Sequence, residues 1–148
     1  MVKAQQAVKA PWHLWLVGIL SLLWNLMGAA DYLMAKMQTA EYVAMMSPEQ
    51  AGYFNSLPAW ITGVWAIGVF GAVLGSALLL ARRKWAVELF AASLAAMIVN
   101  LLHGFFLAKI SLSDIAGPVE NAFSAALFVI ASGLLYYAYR QRGAGVLR

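Results

Sequence analysis

The sequence contains no cysteine. Disulfide frameworks, thiolate nucleophiles, iron–sulfur clusters and thioether-linked haem are thereby excluded, and the redox compartment leaves no trace. Charge is nearly as scarce. Ten Lys and Arg and six Asp and Glu make up 11% of the 148 residues, where average chains carry about 25%. A phosphate-binding glycine loop, a dinucleotide fingerprint and a Ser-His-Asp set are all missing, so no enzyme is expected. Two histidines and the few acids fall at no usable ligand spacing, which argues against a metal or a cofactor. What is present is apolar: 64% of residues are hydrophobic, and mean hydropathy is +0.76. One soluble core of this length cannot hide so much apolar surface. The composition points to lipid as the solvent.

Four stretches carry no charge: 14–30, 50–81, 89–108 and 121–139. A bilayer core of about 30 Å takes ~20 apolar helical residues. The pattern therefore predicts one all-α membrane domain over 1–148, a bundle of four transmembrane helices near 13–35, 59–81, 85–107 and 119–139. No segment shows the alternation of a barrel strand. Arg82-Arg83-Lys84 is short enough to make the second and third spans an antiparallel hairpin. Between the first two spans, Ser47-Pro48-Glu49-Gln50 offers an N-cap serine, a proline at the first helical position and a glutamine at the third. That predicts a short amphipathic helix near 48–56 in the outer interface, with Tyr53 and Phe54 dipping into it.

Charge asymmetry sets the expected orientation. Lys3, Lys9, Arg82, Arg83, Lys84, Arg140, Arg142 and Arg148 fall on one side, and only Lys36 and Lys109 on the other. Positive residues stay cytoplasmic, which predicts a multi-pass inner-membrane protein with both termini inside. Asp31, Glu41, Glu49, Asp114 and Glu120 fall at the outer side; Glu88 is inner and is expected to pair with Lys84 along the helix surface. The net charge of +4 and pI near 9.6 thus report topology and attraction to anionic lipid head groups, not a nucleic-acid partner. Lys3, Lys9, the apolar 14–27 run and Gly28-Ala29-Ala30 also fit a secretory signal peptide. Trp24 and Asn25 suit its apolar region poorly, so the first span is read as a membrane helix. Trp12, Trp15, Trp85, Tyr136, Tyr137 and Tyr139 then form an inner aromatic belt, with Tyr32, Tyr42 and Trp60 on the outer side.

Polar residues inside the spans must find a partner or water. Gly18, Ser21, Asn25, Gly28 and Tyr32 share one face of the first span, with Asp31 at its border. Ser93 and Asn100 share a face of the third, flanked by His103 and Gly104. Asn121 and Ser132 do so on the fourth, which starts at Glu120. The helix directions bring Asp31, His103, Glu120 and Asn121 to one depth in the outer leaflet, with Asn25 and Asn100 deeper. Those six are the candidate ligand-binding residues, a polar cluster open to the outside. Packing is the commoner use of buried amides, and Gly28, Gly68, Gly71 and Gly75 are candidate close-packing positions. His13 lies at the opposite surface from His103, so the two cannot share a haem.

A faint repeat relates the first and second spans to the third and fourth. Asn25 aligns with Asn100, and Ser76 with Ser132. Membrane helices share a small alphabet, and convergent composition is the simpler account. The segments Trp24-Asn25-Leu26-Met27-Gly28, Ser47-Pro48-Glu49-Gln50, Trp65-Ala66-Ile67-Gly68 and His103-Gly104-Phe105-Phe106 resemble a group of small bacterial four-helix inner-membrane proteins, often labelled automatically as sugar transporters. The resemblance implies fold and membrane location and supplies no residue roles. Two functions are expected: binding or transport of a small polar, sugar-like solute by a homo-oligomer, or an accessory role in a larger membrane complex.

Overall fold

The computed structural model describes residues 8–148, so Lys3 and its topological role lie outside the described residues. Among the described residues seven helices follow in order: α1 Trp12–Met37, α2 Ala40–Ala44, α3 Pro48–Ser56, α4 Ala59–Leu80, α5 Ala86–Phe106, α6 Leu112–Ile115 and α7 Pro118–Gly143. Of these, α1, α4, α5 and α7 are long and apolar enough to cross a membrane. Their lengths of 21 to 26 residues reach about 31–39 Å at the helical rise. α7 runs past its expected end at 139 through Arg140 and Arg142, both in its last turn, where cations favour a helix terminus. α2 and α6 are too short to leave a periodic trace in the sequence. Side-chain caps start both: Thr39 accepts from the Tyr42 amide and Ser111 from the Ser113 amide.

α4 stands between α1 and α5, and α5 packs in turn on α7. The α4–α5 seam is close because glycines line it. A Cβ added at Gly68 would lie 3.4 Å from Ala96 Cβ, one at Gly71 3.5 Å from the Leu89 carbonyl, and one at Gly75 3.0 Å from the Phe90 ring. That approach lets the Ser93 hydroxyl donate to the Gly68 carbonyl across the seam, at 2.5 Å. Gly28 does not take part: it is exposed, and a Cβ there would meet nothing within 4 Å. The buried stripe of α1 runs Leu14, Gly18, Ser21 and Ala29. A four-residue step beyond Asn25 reaches Ala29 and turns Gly28 away. Gly18 is the close-packing glycine of this helix, set against Leu80.

Both described chain ends and the α4–α5 turn meet at one end of the bundle. Arg82 leaves α4 with a left-handed φ of 58°. Its Nε donates to the Val146 carbonyl at 3.2 Å, and its Nη2 donates to the Val8 carbonyl. The Arg148 amide donates to the Arg82 carbonyl at 2.8 Å, and the Lys84 amide to the Arg148 carbonyl at 3.0 Å. Beyond α7, Gly145 takes a φ of 72°, a value glycine adopts without steric cost. The chain there turns back, and Val146 and Leu147 enter a core with Leu14, Leu79, Ala86, Val87, Phe90 and Ala138. Glu88 pairs with Arg142 rather than Lys84. Lys84 precedes α5 with its amide committed to Arg148, so the helical spacing that would align it with Glu88 does not exist.

Candidate functional site

The six candidate residues fall at separate places, and no hydrogen bond joins any two of them. Asn25 closes the α1–α4 seam: its Nδ2 donates to Ser76 Oγ at 2.9 Å and to the Ala72 carbonyl at 3.3 Å. Ser76 is fully buried and itself donates to Ala72, at 3.0 Å. Asn100 donates to Ala96 of its own helix at 2.9 Å. The bond from Asn25 to Ser76 thus has no counterpart from Asn100 to Ser132, so the aligned pairs of the faint repeat are not alike in structure. Glu120 and Asn121 are exposed in the first turn of α7, and nearby Phe123 meets Trp24 of α1 with ring centroids 6.3 Å apart. The expected single polar cluster does not form, because Asn25 is committed to α4 and Asn100 to its own helix, while Asp31, Glu120 and Asn121 are exposed.

Asp31 is exposed and acts on Tyr42 of α2. Burial, reinforced by the Asp31 carboxylate, pushes the Tyr42 hydroxyl up from 10.0 to about 12. The folded protein therefore holds this proton more tightly than the unfolded chain does. The stabilisation is complete below pH 10 and is lost as pH rises towards 12. An ultraviolet phenolate titration should show this late midpoint. Asp31→Asn should bring it part of the way back, since burial is the larger cause.

His103 is the buried member of the set, 6% exposed in the last turn of α5. Trp60, at the start of α4, meets its ring edge to face with centroids 5.6 Å apart. The Nδ1 of His103 has no hydrogen-bond partner among the described residues. The adjoining Gly104 is roofed by Leu112 of α6 and Tyr53 of α3. A Cβ there would run into Leu112 and come within 2.8 Å of the Tyr53 hydroxyl. Tyr53 is 7% exposed, and burial raises its hydroxyl above the ordinary phenol range.

The roof is fastened from both directions. Ser47 and Gln50 form a reciprocal capping box at the start of α3, with bonds of 3.2 and 3.0 Å. Glu49 beside it is held below the usual carboxylate range, mainly by its own backbone amide and then by Ser47. Tyr53 and Phe54 turn towards the bundle, not out into the interface. Phe54 stacks on Trp65 at 5.8 Å, and Trp65 meets Tyr32 of α1 at 4.9 Å. The sequence reading missed Trp60 as a neighbour of His103 and Tyr53 as a neighbour of Gly104. Shared depth at the same end of adjoining spans was the available signal for Trp60; nothing local marked Tyr53.

Two cavities, of about 560 and 350 Å3, lie along α7, and none of the six candidates lines either. Asn25 is half-buried, with its Nδ2 committed to Ser76 and Ala72 in the α1–α4 seam. In this Cys-free chain, Asn25→Cys should stay unlabelled by a water-soluble thiol reagent, whereas Asp31→Cys should react. Rapid labelling at position 25 would replace the packed seam with a wet cavity.

The fold defines an all-helical, multi-pass membrane protein. No family model matches the chain, and no curated protein or solved structure is detectably similar to it.

Proposed function

We propose that this chain is a bacterial inner-membrane protein that binds a small polar, sugar-like solute at the loop end of its bundle, through His103, and moves it as a homo-oligomer. The observation that carries the reading is the buried, unpartnered Nδ1 of His103, whose ring packs on Trp60 and whose chain neighbour Gly104 lies beneath α3 and α6. Leaving a buried polar atom unpaired costs about 1–3 kcal/mol. A solute hydroxyl both donates and accepts, so it satisfies either tautomer of the neutral ring. Trp60, 56% exposed, adds an apolar aromatic surface beside the imidazole. The resemblance to proteins labelled as sugar transporters agrees in ligand class. The concentration of basic residues at the end shared by the termini supports a cytoplasmic position for that end.

Equilibrium binding of a panel of monosaccharides and polyols to the purified protein tests the reading. One class should bind, and His103→Gln should weaken it about tenfold or more. Absence of binding across the panel, or an unchanged affinity in His103→Gln, would sink it.

One observation favours the accessory role. Asn25, Ser76 and Ser93 are all engaged in helix-to-helix or backbone bonds, so a polar route through a single chain has no support from these side chains. On that reading the protein co-purifies in mild detergent with a stoichiometric membrane partner. Recovery as a partner-free homo-oligomer counts against it.

A further inference from the structure

We propose that the face of α7 from Ser132 to Gly143 binds one anionic phospholipid. The two cavities along α7 adjoin. The larger, about 560 Å3, is lined by Arg140, Arg142 and Gly143 among others, and the smaller, about 350 Å3, by Leu94, Leu135 and Tyr136 among others. Tyr139 lines both. An open depression flanked by two arginines at the end of α7 thus continues into an apolar groove between α5 and α7. That sequence of surfaces matches a charged head group followed by an acyl chain.

Both arginines beside the depression have partners within the protein. Arg140 sits over the Tyr136 ring at 5.9 Å and donates to its hydroxyl at 3.2 Å. Arg142 sits over the Tyr139 ring at 5.8 Å and pairs with Glu88. Each guanidinium carries five donors, and each of these described bonds engages one nitrogen, so both can still address a phosphate. Gly143 leaves the depression open: a Cβ there would meet nothing within 4 Å. Two charges oppose an anion, the Glu88 carboxylate and the negative end of the α7 dipole, about half a charge. The wider field overrides them. Seven described basic residues lie at this end, and Glu88 is the one described acid among them.

Charge complementarity selects the occupant. A zwitterionic lipid fills the groove equally well but gains nothing from the arginines. Each basic residue near an anionic head group contributes a free energy equivalent to about a fivefold change in affinity.

The test is native mass spectrometry of the full chain in detergent, titrated with phosphatidylglycerol or phosphatidylcholine of the same acyl chains. Phosphatidylglycerol should bind several-fold more tightly. Arg140→Gln, at an exposed position, should reduce that preference about fivefold, and Gly143→Leu should block the depression while the melting temperature holds. Equal binding of the two lipids, or a preference untouched by both substitutions, overturns the proposal. So does full displacement of the lipid by glycerol 3-phosphate or inorganic phosphate at equal concentration, which would make this a site for a free phosphate group.

Discussion

Leu147→Asp is expected to lower the stability of the purified protein by about 4 kcal/mol or more, read as a fall in melting temperature in detergent. Leu147 is 4% exposed in the core at the shared end of the termini. Arg82, Lys84 and Arg148 gather at this end, which is therefore read as adjoining water rather than acyl chains. Burying a leucine there yields the full hydrophobic gain, about 1.5–3 kcal/mol, which residues facing lipid do not receive. Aspartate forfeits that gain and adds a carboxylate with no partner in the apolar cluster. Leu147→Ala should cost less, about 2–3 kcal/mol, because it leaves a cavity but no stranded charge. Gly145→Val probes the same segment through the backbone. Its φ of 72° strains a β-branched residue, at a cost of about 1–3 kcal/mol. If Leu147→Asp melts with the parent protein, the tail is not docked in solution.

Gly75→Leu should do comparable damage by the opposite route, overpacking. The position for a Cβ is already 3.0 Å from two Phe90 ring carbons, and Phe90 is 3% exposed with little room to withdraw. The added side chain must part α4 from α5, at about 3 kcal/mol or more, and weaken the Ser93 bond to Gly68 one to two turns away. Reversible unfolding by denaturing detergent measures the loss. Two companions keep the result interpretable. Gly68→Ala places its methyl 3.4 Å from Ala96, so its loss should be small. Gly28→Leu meets nothing and should be neutral, or stabilising by up to about 1 kcal/mol through helix propensity. Equal sensitivity at positions 28 and 75 would contradict the packing.

Span positions were legible in the sequence because their cause is one-dimensional. A charge inside lipid is costly wherever it sits, so the gaps between charges mark the helices. The α3 capping box was legible for a related reason: its donors and acceptors lie three residues apart. The rotation of α1 was not. Asn25 faces α4, but whether the next inward step is three or four residues depends on what α4 offers, and Ala29 rather than Gly28 takes the place. The His103 surroundings were half legible. The imidazole stood out as polar in an apolar run, while the roof over the adjoining Gly104 comes from α3 and α6, whose docking rests on contacts among Tyr53, Gly104 and Leu112 that no local pattern encodes. The Arg142 bond to Glu88 was hidden for a third reason. It depends on α7 running past the last apolar residue, and on α5 starting after Lys84.

The interleaved chain ends also impose an order on biogenesis. α1, α4 and α5 pack on their sequence neighbours, so a three-helix intermediate can assemble as those segments leave the ribosome. The core beneath the α4–α5 turn remains unfilled at that stage, because Val146 and Leu147 follow α7 in the chain. Arg82, fixed between the Val8 and Val146 carbonyls, can complete its bonds only after the last helix has been synthesised and inserted. A nascent chain stalled before residue 144 should therefore expose that apolar end to quality-control proteases, and docking of Val146 and Leu147 should mark its escape from them.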